Sequence, residues 1–252
     1  MAIYTPSLAL RGALERIINP PVTWDNTKKG YVPKSYEHHV ATWACTKLKE
    51  EFSSNIWTIT PEQTDPNTNK KPDLIVEKAI LVPAAQNSPE RVRTKIHLCL
   101  ELKKTGGDRM EKALVQLCEA IPETIDTKGN TPGDEGQFEV FAVVQCGLNI
   151  AFFEYHQDQS NLDEEDIPHF RGCVSLTEGY KLNGVYQCLM EQLPQGMKPL
   201  YHDYGRLKKE EDDLQKEAKK YTTLCVFHLE THKQEVHKLF QHMARNDPRS
   251  SM

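Results

Sequence analysis

The segment TKIHLCLELK, residues 94–103, alternates apolar and polar residues and ends in charge. Successive side chains of a β-strand point to opposite faces. The segment therefore predicts a strand with two rows of side chains: Ile96, Leu98, Leu100 and Leu102 on one face, and His97, Cys99, Glu101 and Lys103 on the other. Gly106 and Gly107 follow, and Asp108 with Glu111 resembles a capping box that opens a helix. A strand that leads directly into a helix restricts the chain to folds that contain both.

The neighbouring segments predict further strands and helices. Apolar residues at helical spacing predict a helix from Ser35, and the segments 55–60 and 72–82 predict two strands. After the helix near Asp108, the segments 138–145 and 149–156 predict two more strands. Short connections favour antiparallel pairing of the first three strands, and the helix that follows permits a crossover. The expected fold class is α/β, with a central mixed β-sheet flanked by helices.

The chain divides into three regions by pattern. Residues 1–34 predict an N-terminal helix and a loop rich in Pro, Asn and Lys, and residues 35–204 predict the α/β domain. Residues 205–252 predict a C-terminal helical extension, or arm. Its first part, residues 206–220, mixes both signs of charge at helical spacing, which is typical of an exposed helix. The arm is a candidate surface for packing or for a homodimer.

The composition limits the classes of function. The 252 residues suffice for one large core, and a net charge of −5 means that any nucleic-acid-binding surface has to be local. Seven cysteines without a CxxC pair indicate a reducing compartment. No signal peptide and no apolar run of about 18 residues is recognised, so we expect an intracellular protein, nuclear or cytoplasmic, without a membrane partner. Motifs of kinases, serine hydrolases and zinc fingers are missing from the sequence.

The charged end of the strand at 94–103 indicates a metal site. Glu101 and Lys103 share a face, and a hairpin between this strand and the preceding one would bring Asp73 beside Glu101. Two adjacent carboxylates repel unless a cation lies between them, and their hard oxygens suit Mg²⁺ or Mn²⁺. The separation of 101 − 73 = 28 positions is long for a tight hairpin. It predicts extended strands or an insertion around residues 86–91.

Pro72-Asp73, followed by Glu101-Leu102-Lys103, resembles the signature of the PD-(D/E)XK nuclease superfamily, which has the restriction-endonuclease-like fold. The resemblance covers roughly residues 35–156. It implies that Asp73 and Glu101 hold a divalent metal ion, together with the backbone carbonyl of Leu102, and that Lys103 assists the attacking water. It also implies that Glu37, in the helix predicted from Ser35, belongs to the acidic cluster. Gln116, in the helix after the lysine, resembles a residue that supports the site or contacts the substrate.

The resulting expectation is a Mg²⁺- or Mn²⁺-dependent nuclease that hydrolyses phosphodiester bonds. DNA is favoured over RNA because no RNA-binding stretch of aromatic and basic residues is evident. Basic residues near this site form a candidate phosphate-binding patch. They are Lys103, Lys104, Arg109 and Lys112, together with Lys47 and Lys49 of the helix predicted from Ser35.

Three other interpretations stay open. The charged residues can form a ladder of ion pairs on a solvated sheet face. The chain can also be a catalytically inactive nuclease-fold module that binds nucleic acid or a protein partner. The third interpretation is a scaffold or regulatory protein that acts through the C-terminal arm.

Overall fold

The computed structural model describes residues 4–34, 36–61, 71–83, 90–107, 110–128, 139–156, 173–175 and 226–248. The helices in this part of the chain are α1 (Leu8–Ile18), α2 (Glu37–Glu51), α3 (Met110–Lys128) and α4 (Lys233–Arg245). The strands are β1 (Val22–Asp25), β2 (Gly30–Pro33), β3 (Trp57–Pro61), β4 (Leu74–Val82), β5 (Arg91–Lys103), β6 (Glu139–Cys146), β7 (Asn149–His156), β8 (Cys173–Ser175) and β9 (Phe227–His228). The predicted charged helix at 206–220 lies outside the described residues.

The described strands form one mixed sheet and a separate hairpin. The sheet has the order β3-β4-β5-β6-β7-β8, and β9 also pairs with β7. Strands β5 and β6 are parallel, whereas the other neighbours in this sheet are antiparallel. Helix α3 makes the crossover between the two parallel strands. The predicted α/β class with a central mixed sheet is therefore confirmed.

Helices cover both faces of the sheet. On one face, Leu98, Leu100 and Leu102 of β5 belong to a core that includes residues of α1, α2 and α4. On the other face, Cys99 of β5 belongs to a second core that is formed with α3. Strands β5 and β6 are consequently buried on both faces, which explains why their apolar runs are nearly continuous. Among the described helices, none is long and apolar enough to pass through a membrane.

The alternation of β5 is confirmed from Leu98 onwards and is wrong before it. Val76 pairs with Leu98 but its neighbour Glu77 pairs with Ile96, so His97 is the extra residue of a β-bulge. A bulge shifts the side-chain alternation by one residue. Ile96 therefore packs in the α3 core, and the His97 ring lies against Phe52, Trp57 and Phe141 on the opposite face.

The predicted loop before residue 34 contains a β-hairpin. Strands β1 and β2 pair antiparallel around a turn in which Asp25 Oδ1 accepts hydrogen bonds from the backbone N–H groups of Thr27 (2.8 Å) and Lys28 (3.1 Å). Lys29 completes the turn with a left-handed φ of 48°. An aspartate that bonds the backbone two residues later is typical of an Asx-turn. The polar residues that predicted a loop thus form only the tip of the hairpin.

The described part of the C-terminal segment packs into the main core. Its apolar residues Val236, Leu239, Phe240 and Met243 are buried in the same core as α2. Strand β9, just before α4, extends the pairing of β7 at Asn149 and Ile150. The apolar side of α4 is therefore buried within the chain.

Candidate functional site

The pairing of β4 and β5 brings the predicted acids together. Leu74 of β4 pairs with Leu100 of β5 in the antiparallel sheet. Asp73 and Glu101 are the next residues on the two strands, so they lie on the same side of this pair. Asp73 Oδ2 accepts a hydrogen bond of 2.6 Å from the backbone N–H of Leu102. The long separation in sequence arises because β4 has nine residues and β5 has 13. The prediction of extended strands is confirmed.

Glu101 and Lys103 project from the same face and form an ion pair. The distance from Lys103 Nζ to Glu101 Oε1 is 2.5 Å, and the exposed fractions of the two side chains are 18% and 7%. Glu101 follows Cys99 on the face that α3 covers, which accounts for its burial. A buried carboxylate is costly unless it is paired or coordinates a metal. The ammonium of Lys103 is its counter-charge here.

The pKa of Lys103 shows which charges surround it. Burial alone would lower this pKa, but the hydrogen bond and charge of Glu101, followed by the charges of Asp73 and Glu37, raise it above its ordinary value. The carboxylates of Glu101 and Asp73 therefore stabilise the charged form of Lys103.

Glu37 lies at the start of α2, which packs on the opposite face of the sheet from α3. It is exposed at the first residue of α2, where the helix dipole favours an acid. Helix α2 packs against β5 in the main core. The helix dipole would favour an acid at this position even without a functional site. The structure thus brings together Asp73, Glu101 and Lys103, and the predicted place of Glu37 in the cluster stays a prediction.

The candidate metal site offers few side-chain ligands. Within the part of the chain that the structure describes, no group of three or more His, Cys, Asp or Glu side chains is arranged to hold a metal. Mg²⁺ commonly takes only one or two carboxylates and completes its coordination with water and substrate phosphates. Asp73, Glu101 and the carbonyl of Leu102 are consistent with that smaller set. Binding would require Glu101 to exchange its Lys103 partner for the metal.

The candidate substrate-binding residues are more scattered. Lys104 is exposed next to Lys103, and Lys112 is exposed near the start of α3. Gln116 is half-buried on α3, and its Oε1 has no hydrogen-bond partner among the described residues. Arg109 lies outside the described residues. No described contact joins Lys104 or Gln116 to the acids of the cluster.

The predicted phosphate-binding role of Lys47 is wrong. Its exposed fraction is 1%, and it forms an ion pair with Glu51 within α2. Its Nζ also lies 3.1 Å from the hydroxyl of Tyr4 and 3.1 Å from Nδ1 of His237 on α4. A lysine that is enclosed in this way cannot reach a phosphate in solution. Lys49, two residues later, is exposed.

Sequence reasoning missed the support behind Lys103. The backbone N–H of Gly147, in the turn between β6 and β7, donates a hydrogen bond of 2.8 Å to the Lys103 carbonyl. Gly147 has a φ of 60°, and a Cβ at this position would lie 2.4 Å from Oγ1 of Thr105. Only glycine combines that conformation with so close a neighbour. The sequence signal was the tight connection itself, which was interpreted as a turn alone.

Comparisons of the chain with protein-family models, curated proteins and solved structures found no match. A functional proposal therefore depends on the chemistry of the chain's own residues.

Proposed function

We propose that the chain is a Mg²⁺- or Mn²⁺-dependent nuclease of restriction-endonuclease-like fold that hydrolyses phosphodiester bonds in DNA. The observation that carries the proposal is the convergence of Asp73, Glu101 and Lys103 where β4 begins and β5 ends. The order α2-β3-β4-β5-α3-β6, with β5 parallel to β6, supports it because a mixed sheet of this order is what the sequence resemblance implies. In the proposal, Glu37 at the start of α2 contributes a further carboxylate to the acidic cluster.

In this proposal Asp73 and Glu101 bind the metal with the carbonyl of Leu102. The hydrogen bond from the Leu102 N–H fixes the Asp73 carboxylate beside the chain segment that supplies this carbonyl. A bound divalent cation lowers the pKa of a water ligand and neutralises charge on a phosphate. Gly147 holds the carbonyl of Lys103 and so fixes the backbone from which the lysine side chain projects.

The position of Lys103 suggests its role. Without a metal, Glu101 and Asp73 raise the pKa of Lys103 and favour its ammonium form. This ammonium orients the attacking water and stabilises negative charge on the phosphate in the transition state. This role requires the lysine to leave Glu101 when that carboxylate binds the metal.

One observation favours a second candidate, the catalytically inactive nuclease-fold module. The ion pair of 2.5 Å between Lys103 and Glu101 engages both groups, as a purely structural ion pair would. A module of this kind would bind nucleic acid or a protein partner without turnover. Its binding would not depend on Glu101 or on a divalent metal.

The test is incubation of the purified chain with circular single-stranded DNA and circular duplex DNA in the presence of Mn²⁺. We expect cleavage that disappears with Glu101→Ala and is strongly reduced with Glu101→Gln. Circles exclude an activity that needs a free end, and the variants exclude a contaminating nuclease. Glu90→Gln is the matched control because it removes an exposed carboxylate just before β5, at the opposite end of that strand from Glu101. No cleavage of either circle, or equal cleavage by the Glu101 variants, would contradict the proposal.

A further inference from the structure

The hairpin of β1 and β2 exposes an aromatic pair. Trp24 pairs with Tyr31 across the two strands, and their rings meet edge to face with centroids 5.4 Å apart. Val22, two residues before Trp24, lies on the same face of the hairpin. The exposed fractions of Val22, Trp24 and Tyr31 are 60%, 55% and 72%. None of the three belongs to either core formed by the described residues.

The hairpin holds this surface in a defined orientation. The indole Nε1 of Trp24 donates a hydrogen bond of 2.9 Å to Oδ1 of Asn26, so the polar edge of the ring is bound within the hairpin itself. The apolar area of the two rings still contacts solvent. Single exposed apolar residues are ordinary, but a cluster on one face indicates a binding surface.

The charges around the aromatic pair favour an anionic partner. Lys28 and Lys29 form the tip of the hairpin, and Lys34 follows β2 with its Nζ 5.2 Å from the ring centroid of Tyr36. Between residues 20 and 36 these three lysines oppose Asp25 alone, which gives a local charge of 3 − 1 = +2. The whole chain has a net charge of −5. The hairpin is therefore a local positive region on an acidic protein.

The aromatic pair lies close in sequence to Glu37, which the proposal includes in the acidic cluster. Tyr31 is 37 − 31 = 6 residues before Glu37 at the start of α2. Six residues span at most about 20 Å even when fully extended. A nucleic-acid strand of a few nucleotides is long enough to contact both places.

We propose that the β1–β2 hairpin binds the substrate strand of the nuclease and that this substrate is single-stranded nucleic acid or an unpaired segment. The inference rests on the proposed function and names its substrate class. Bases stack on Trp24 and Tyr31, and the lysines contact phosphates. Duplex DNA does not offer the same contact because its bases are stacked on one another inside the helix.

Trp24 supplies a probe for this contact. The chain has three tryptophans. Trp43 is 3% exposed and Trp57 is partly buried, so quenching by a bound base should come mainly from Trp24. Binding is measured in EDTA, without cleavage, by fluorescence quenching and by anisotropy of labelled DNA and RNA oligonucleotides. We expect single strands to bind more tightly than the matching duplex.

The variants are Trp24→Ala and Tyr31→Ala, each expected to weaken single-strand binding on the order of 10-fold, since an aromatic contact with one base contributes about 1–3 kcal/mol. Trp24→Phe should keep most of the affinity. The control is Leu81→Ala with Val92→Ala, because these side chains are 60% and 68% exposed and pair across β4 and β5 at the end away from the acids. This control should bind like the wild type.

Each outcome separates the inference from the proposed function. Cleavage with unchanged binding in Trp24→Ala, or duplex binding as tight as single-strand binding, would overturn the inference and leave the nuclease proposal standing. Trp24-dependent binding of single strands without cleavage by the wild type would contradict the nuclease proposal and assign the hairpin to a binding module. Absence of binding to DNA and RNA alike would overturn the inference. Tighter binding of single-stranded RNA than of single-stranded DNA would support the hairpin's role. It would contradict the part of the nuclease proposal that names DNA as the substrate.

Discussion

Lys103 and Lys47 both lie beside glutamates, yet their pKa values shift in opposite directions. Lys47 is enclosed between α2 and α4, and burial lowers its pKa although Glu51 and Glu50 act to raise it. Lys103 also loses hydration, but there Glu101, Asp73 and Glu37 prevail and raise the pKa. Desolvation therefore dominates at the first lysine and carboxylate charge at the second.

The difference separates a structural cluster from a candidate functional one. The ammonium of Lys47 is surrounded by Glu51, Tyr4 and His237, which belong to three separate segments of the chain. These contacts tie the N-terminal segment and α4 to α2. The cluster at Lys103 combines this cation with the carboxylates of Glu101 and Asp73 and lies at the end of β5, next to the exposed Lys104. Carboxylate oxygens at such an edge are the ligands that a divalent metal ion prefers.

Replacing Lys103 should produce the largest effect. With Lys103→Ala we expect the cleavage rate to fall on the order of 1,000-fold, since a positioned catalytic group typically contributes factors of 100 to 10,000. Stability in the presence of Mn²⁺ should change by less than about 1 kcal/mol, because under the proposal a bound metal would replace the ammonium as partner of Glu101. Single-turnover cleavage and urea unfolding measure the two quantities. An unchanged rate would remove the lysine from the mechanism.

Replacing Lys47 should reverse this pattern. Lys47→Met removes the cation from Glu51 and leaves this carboxylate with His237 Nδ1 at 2.6 Å, so we expect a loss of about 2–4 kcal/mol, somewhat less than for a fully unpaired buried charge. The cleavage rate per folded molecule should stay unchanged. The double variant Lys47→Met with Glu51→Leu should regain much of the stability, because it removes both charges. Urea unfolding checks these values, and a loss below about 1 kcal/mol would show that the buried pair contributes little to the stability of the fold.

Strand β5 also contains a group whose pKa is controlled by burial. Buried His97 precedes Glu101 by four residues. Its Nε2–H donates to the carbonyl of Met243 at 2.6 Å, and burial lowers the pKa of His97 to about 4. An unfolded histidine has a pKa near about 6.5, so the neutral ring stabilises the fold above that pH. This contribution is lost as the pH falls from about 6.5 to 4, by about 3 kcal/mol.

Unfolding free energies measured between pH 7 and pH 4 test this loss. His97→Gln retains a donor for the Met243 carbonyl and removes the titration, so its stability should fall less steeply with acid. His38→Gln is the control because His38 is exposed on α2. Equal slopes for His97→Gln and the wild type would show that another group controls acid unfolding.

Substitutions of Gly147 and Gly106 should have the smallest effects on stability and cleavage, and the two sites are closely matched in backbone conformation. Gly147→Ala places a Cβ 2.4 Å from Thr105 Oγ1, whereas Gly106→Ala, at a similar φ of 71°, meets nothing within 4 Å. Both variants lose about 1 kcal/mol from the left-handed backbone. Gly147→Ala should lose about 1 kcal/mol more and should also slow cleavage, because it displaces the backbone of Lys103. Equal effects of the two substitutions on stability and rate would rule out the close packing as a cause.

The sequence was sufficient to predict the features that depend on local periodicity. Alternation placed Glu101 and Lys103 on one face, and the hairpin geometry placed Asp73 beside Glu101. The bulge at His97 was missed because its extra residue is defined only by pairing with β4. The support at Gly147 was missed because Thr105 comes close only in the folded chain.

Two further features carried a sequence signal that was misinterpreted. Lys47 lies four residues after Trp43 and seven after Val40, so its spacing already placed it on the buried stripe of α2. Its charge led to the opposite interpretation. Trp24 and Tyr31 are separated by polar residues that predicted a loop, and their pairing depends on the turn at Asp25. Aromatic residues that are distant in sequence become one surface only when the hairpin forms.

The most direct test of the metal site is calorimetric titration of the purified chain with Mn²⁺. We expect one saturable Mn²⁺ site in the wild type. Asp73→Asn and Glu101→Gln should each lower its affinity for Mn²⁺ at least about 10-fold, because a carboxylate ligand is lost. Glu90→Gln should bind Mn²⁺ like the wild type. Absence of Mn²⁺ binding to the wild type, or equal binding by the Asp73 and Glu101 variants, would contradict the claim that these two acids share a metal ion.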